Sequence, residues 1–159
     1  MEILQCFLKK IDIESLTAFE LKVWDILCSL FKNLIEDQLS DESSIEKGLG
    51  IDVFLKVKRS DFVIYMSITE DRLYINSKYF DIYIYPETET DKIEILSRQV
   101  LLGKYSIRLG YGSNGKLVYK ELIFDRKELE EFNEKRKVGF FAKKIVNEKR
   151  VEGIKLISD

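Results

Sequence analysis

The most suggestive spacing in this chain is Gly110-Tyr111-Gly112-Ser113-Asn114-Gly115, which satisfies G-x-G-x-x-G. In a dinucleotide-binding unit such glycines open a helix whose N-terminus holds a pyrophosphate. Here Lys116 to Phe124 alternates apolar and polar residues like a strand, so no helix terminus follows. Strand–loop–strand is the setting of a protein-kinase glycine loop, and Leu109 to Lys116 has that outline. A kinase also needs a His-Arg-Asp catalytic loop and a metal-binding Asp-Phe-Gly downstream. This chain has no histidine and 44 residues beyond Gly115. The run is therefore read as a hairpin turn, where glycine and asparagine supply positive φ.

Other chemistry is narrowed in the same way. Without histidine there is no Ser-His-Asp triad, no Cys-His pair and no His-ligated zinc. The two cysteines, Cys6 and Cys28, are too few for a structural zinc site and suit a reduced compartment. There is no Walker loop. The acids Glu36, Asp37, Asp41, Glu42 and Glu46 lack the spacing and central glycine of an EF-hand. No cofactor or metal is expected. Carboxylate chemistry survives only by default, with Asp81 and either Glu70 or Glu121 as the pair. These resemble ordinary surface acids, so the chain is not expected to be an enzyme.

Two groups of residues suggest binding instead. Tyr65, Tyr74, Tyr79, Tyr83 and Tyr85 share one parity across neighbouring strands, with Arg72 and Asp81 among them. Tyrosine offers large, rigid, amphipathic contact area. The competing reading is that these tyrosines simply suit strands and pack beneath the C-terminal segment. The second group is the acidic tip after Pro86, where Glu87, Glu89 and Asp91 are candidates to steer a basic partner.

The elements that must position them follow from periodicity. Phe62, Ile64, Met66 and Ile68 alternate with Val63, Tyr65 and Ser67. Leu73 and Ile75 continue the apolar face after a turn at Glu70-Asp71. Phe80, Ile82 and Ile84 repeat it before Pro86, the only proline. Val53, Leu55 and Val57 make an earlier run, joined through Arg59-Ser60-Asp61. The result is an antiparallel meander of three or four strands, with a second hairpin at 105–124.

Thr17 and Glu20 form a capping box, with Leu16 and Leu21 placed for a hydrophobic staple. Phe19, Val23, Ile26, Leu27, Leu30, Phe31, Leu34 and Ile35 give the helix a wide apolar stripe flanked by Trp24 and Cys28, able to cover the sheet. Residues 1–13 favour a short helix, with an edge strand as the alternative. Asp37 to Gly50 reads as a polar connection. Residues 93–102 fit helix or strand, and Asp125 to Lys137 a charged helix. Residues 140–145 fit either form, and Val151 to Ile157 a terminal strand. The fold class is α+β: an antiparallel sheet covered on one face by an amphipathic N-terminal helix, with a shorter C-terminal helix, in one domain over 1–159.

Composition agrees with an ordinary globular chain: 45% hydrophobic and 34% charged. No run approaches the ~20 apolar residues of a membrane span, and Met1 to Lys10 lacks a secretory-signal pattern. The net charge of −2 hides an acidic first third and a basic last fifth, and the chain has no overall basic excess. Nucleic acid and membrane are therefore not expected as partners, and a cytoplasmic setting is. In size, composition and absent catalytic sets the chain is similar to bacterial immunity proteins, which neutralise toxic effector domains. That similarity implies a protein partner, a basic toxin domain in its sharpest form. The alternatives are a small-molecule or nucleotide-handling enzyme with a sheet–helix pocket and a homo-oligomeric structural subunit.

Overall fold

The computed structural model describes residues 11–138 and 144–159. Residues 1–10, which carry most of the expected first helix and Cys6, lie outside the described residues, as do 139–143. The chain is α+β, with two antiparallel sheets and two α-helices among the described residues.

The first sheet is the meander with one strand more than its obvious apolar runs. Its order is β1 (Ser44–Lys47), β2 (Ile51–Lys56), β3 (Val63–Thr69), β4 (Arg72–Ser77) and β5 (Asp81–Ile84). Side chains alternate as the sequence predicts: Ile64, Met66, Ile68, Leu73, Ile75, Ile82 and Ile84 are buried, and the intervening residues face the other way. β1 corrects the expected polar connection. Only Ile45 of its four residues is buried, so no hydrophobic period announces it. Pairing with β2, Ser44 to Phe54 and Lys47 to Ile51, makes it a strand.

Helix α1 (Ala18–Phe31) covers the aliphatic face, touching β3. Its capping box is formed: the Glu20 N–H donates to Thr17 Oγ1 at 3.3 Å, and the Thr17 N–H to Glu20 Oε2 at 2.8 Å. Leu16 packs on the core while Leu21 is left exposed. Trp24 is buried with the stripe instead of flanking it. The helix ends at Phe31, earlier than the stripe implies. Leu34 and Ile35 instead pair with the chain end: Leu34 bridges Ile157, and the Ile35 N–H donates to Leu156 O at 2.8 Å. A spacing of three and four cannot distinguish a continuing helix from a chain that leaves it toward another apolar partner.

The ambiguous run after Pro86 is helix α2 (Thr90–Leu101), packed against α1. Gly103, at φ +67°, ends it. The Gly103 N–H donates to Val100 O and the Lys104 N–H to Gln99 O, the paired bonds of a Schellman cap.

The second sheet has the order β8 (Glu134–Lys137), β7 (Leu117–Ile123), β6 (Ser106–Gly112) and β9 (Ile145–Glu152). The glycine-rich turn is shorter than its motif. Gly110 and Gly112 lie within β6, and the reversal is confined to Ser113–Lys116. Gly110 faces Tyr119 in register, and a β-carbon there would meet the Tyr119 ring at 2.1 Å. The ring thus occupies the space that a side chain would fill. Gly115, at φ +69° with open space around it, is the turn glycine.

The expected charged helix at 125–137 is corrected. Lys127–Phe132 forms a 3-10 helix with Leu129 buried, and Glu134–Lys137 is strand β8. Asn133 Oδ1 accepts the Phe124 N–H at 2.7 Å, closing a turn that brings the alternating residues after it onto β7. The terminal strand also begins earlier than its apolar residues suggest and ends before Gly153. One cluster of buried apolar residues includes members of α1, α2 and both sheets. Among the described residues no helix is long and apolar enough to cross a membrane.

Candidate functional site

The face of the first sheet opposite α1 carries the candidate site. Strand register builds it as two rows. Asp52, Ser67, Tyr74 and Tyr83 lie opposite one another across β2 to β5. Phe54, Tyr65, Asn76 and Asp81 form the adjoining row. Directly opposed residues on one face stand close enough for side chains to touch. The Tyr74 and Tyr83 rings stack at 4.8 Å with an interplanar angle of 26°, and Tyr65 meets Tyr74 edge-on at 6.1 Å and 72°.

Diagonal hydrogen bonds hold the rings. Tyr65 Oη donates to Asp52 Oδ1 at 2.6 Å, and Tyr74 Oη to Asp81 Oδ1 at 2.6 Å. Asn76 Nδ2 also donates to Asp81 Oδ1 at 2.5 Å. From the second sheet, Arg136 of β8 reaches Asp81 Oδ2 at 2.5 Å and Glu134 at 2.6 Å. Both carboxylate oxygens of Asp81 are therefore occupied.

The titration behaviour follows. Partial burial works against the Asp81 carboxylate. It is outweighed by the Tyr74 and Asn76 hydrogen bonds and the charges of Arg136 and Lys120, so its pKa lies below the ordinary carboxylate value. Burial pushes the Tyr74 hydroxyl well above the normal range, reinforced by its bond to Asp81 and that anion's charge. Tyr65 is raised first by burial and then by Asp52. Both tyrosines are protonated donors at neutral pH, and Asp81 is an acceptor.

Ser67, the small residue between Tyr65 and Thr69 on β3, leaves a dimple among larger neighbours. With Thr69, Arg72 and the three tyrosines it bounds an open, shallow depression of about 360 Å³. A second depression, about 220 Å³, lies beyond Tyr83 and is lined by Asp81, Phe132, Glu134 and Arg136 among others. Compared with family models, curated proteins and solved structures, the chain matches none.

The structure thus brings Tyr65, Tyr74, Tyr83 and Asp81 into one surface. Tyr83 is 43% exposed on that surface, and Tyr85 is 47% exposed. Tyr85 lies just beyond the end of β5. Tyr79 is not part of the surface. It precedes β5 in a turn whose Tyr79 N–H donates to Ser77 Oγ, and it packs against the core. The acidic tip is separate from the rings: Glu87, Glu89 and Asp91 are all exposed where β5 runs into α2, with Glu89 at its N-cap and Asp91 in its first turn. Anions are favoured at a helix N-terminus, which explains two of them without a partner.

Asp52, Asn76 and Arg136 were missed by sequence reasoning. Parity alone places Asp52 and Asn76 on the tyrosine face. No sequence signal links Arg136 to Asp81, 55 positions away. Of the carboxylates weighed for catalysis, Glu121 pairs with Arg108 at 3.1 Å and Glu70 sits at the β3–β4 turn.

One pH dependence follows from Asp81. Its folded pKa is depressed, so its contribution to stability is fully present above the unfolded value, about 3.9. That contribution is lost as pH falls through the lower folded value. Asp81→Asn should therefore reduce the urea midpoint at pH 7, and the gap from wild type should shrink as pH drops below about 4. A gap that stays constant with pH would show that the carboxylate charge is not what the ring network uses.

Proposed function

We propose that this chain is a non-catalytic protein-binding module that contacts its partner through the Tyr65–Tyr74–Tyr83 surface, and that the partner is a toxic effector domain which it neutralises. The observation that carries the reading is that hydroxyl bonds to Asp52 and Asp81 fix the half-buried Tyr65 and Tyr74 rings, and the exposed Tyr83 stacks on Tyr74. A surface whose side chains are already ordered loses less entropy on association. Tyrosine is also enriched at protein interfaces.

The form of the surface favours binding over catalysis. The larger depression is open and shallow, whereas small-molecule sites enclose most of their ligand. Asp81 is held ionised by its donors, the opposite of a carboxyl poised to give a proton. Apart from the rings, the exposed acids Glu87, Glu89 and Asp91 supply negative charge that would speed capture of a basic domain.

The test is capture of the native partner by the full chain from its own cells, followed by expression of that partner alone. The reading expects one stoichiometric protein that arrests growth unless this chain is co-expressed. Replacing Glu87, Glu89 and Asp91 together with lysine should slow its association by about tenfold or more at low ionic strength and flatten the salt dependence. An unchanged rate removes the tip from the contact; a partner without toxicity removes the neutralising role.

A further inference from the structure

The second sheet ends in a pole unlike the tyrosine surface. Its strands converge on the Ser113–Lys116 turn. Lys137 faces Tyr119 in register, the Val138 N–H donates to Val118 O, and Ile145 faces Gly112. The pole thus gathers Lys116 from the turn, Lys137 and Val138 from the end of β8, and Lys144, Ile145 and Val146 from the start of β9. All six are exposed.

Charge there has one sign. Among the described residues, 109–120, 135–138 and 144–147 contain no Asp or Glu, although the whole chain carries −2. Lys116, Lys137 and Lys144 form no ion pair among the described residues. The nearest acid in register, Glu148, is bonded to the Tyr119 hydroxyl. The apolar members are held outward. The β6–β9 register slips between Tyr111 and Gly112, which pair with Asn147 and Ile145 and leave Val146 unpaired. Val146 is 60% exposed at this bulge, with Val138 at 42% and Ile145 at 39%. Bulges commonly re-aim a side chain in this way.

We propose that this pole attaches the protein to an anionic lipid surface, with the aliphatic side chains entering the headgroup boundary and the lysines meeting lipid phosphates and carboxylates. A second copy of the chain is a poor occupant, because it brings the same cations face to face. A protein partner is disfavoured by composition, since interface cores are depleted in lysine and enriched in aromatic residues and arginine. Lysine over exposed aliphatic surface suits a bilayer, where the stem lies on the apolar boundary and the ammonium stays in water.

The test is co-sedimentation of the full chain with phosphatidylcholine vesicles and with equimolar phosphatidylcholine–phosphatidylserine vesicles. Binding is expected to the second only. Lys137→Gln with Lys144→Gln should reduce it by about 30-fold, at roughly fivefold per lysine. Lys116→Gln, in the turn and outside every strand, gives an independent fivefold drop if the strand variants lose stability. Val146→Ser should reduce the binding that persists at high salt while leaving the melting temperature unchanged. Absence of serine-dependent binding overturns the proposal, as does binding indifferent to these lysines or to Val146. It is equally overturned if the chain binds an oligonucleotide through the same lysines more tightly than it binds vesicles.

Discussion

Replacing Tyr83 with alanine should weaken partner binding by about 30-fold or more, the effect of losing an interfacial hot spot worth about 2 kcal/mol. Tyr83 stacks on Tyr74 at 4.8 Å and borders both depressions, so truncation removes contact area from the middle of the surface. At 43% exposure it contributes little to the core, and the loss of stability should stay within about 1 kcal/mol, the value of one ring pair. Tyr83→Phe keeps the stacking and separates the ring from the hydroxyl. Titration calorimetry with the captured partner, beside a thermal melt of each variant, resolves the two effects. Wild-type affinity in Tyr83→Ala would falsify the assignment of the tyrosine surface as the contact.

Gly50→Ala should be the most damaging small change in the first sheet, costing about 3 kcal/mol or more. The added β-carbon would lie 2.1 Å from Ile68 O and 2.9 Å from Thr69 Cγ2. The oxygen belongs to backbone in a central strand, where Ile68 pairs with Ile51 on one side and Leu73 on the other. It can retreat only by disturbing the pairing of both neighbours. Against a typical total stability of 5–15 kcal/mol the loss is large. Gly48→Ala, two residues earlier, is the matched control: its β-carbon would meet Asp52 Oδ2 at 3.8 Å, an ordinary contact. Urea unfolding of the two variants should separate them clearly. Equal midpoints would mean that the β1–β2 turn moves aside without cost.

The tip acids and the pole lysines place opposite charges on different parts of one small protein. Glu87, Glu89 and Asp91 stand where β5 meets α2, whereas Lys116, Lys137 and Lys144 surround the β6–β7 turn. The overall charge of −2 conceals both. A basic domain and an anionic surface would be met by separate regions, so substitutions at one should leave binding at the other intact.

Much of the first sheet was written in the sequence. Strict alternation from Phe62 to Ile84 gives the strands, the buried face and the parity of the tyrosines, because a strand exposes its two faces at a period of two. Thr17 and Glu20 mark the start of α1 through bonds that span only three residues. The lack of histidine removes whole classes of catalysis before any folding is considered. Tertiary structure decided the features that depend on distant neighbours. β1 and β8 have too few apolar residues to announce themselves and exist because β2 and β7 offer open edges. Trp24 is buried through packing that helical spacing alone did not assign. Parity places Tyr74 on an outward face, but Asp81 anchors it and Arg136 reaches that same carboxylate from another sheet. Local periodicity reports which way a side chain points; register and long-range pairing determine what it meets there.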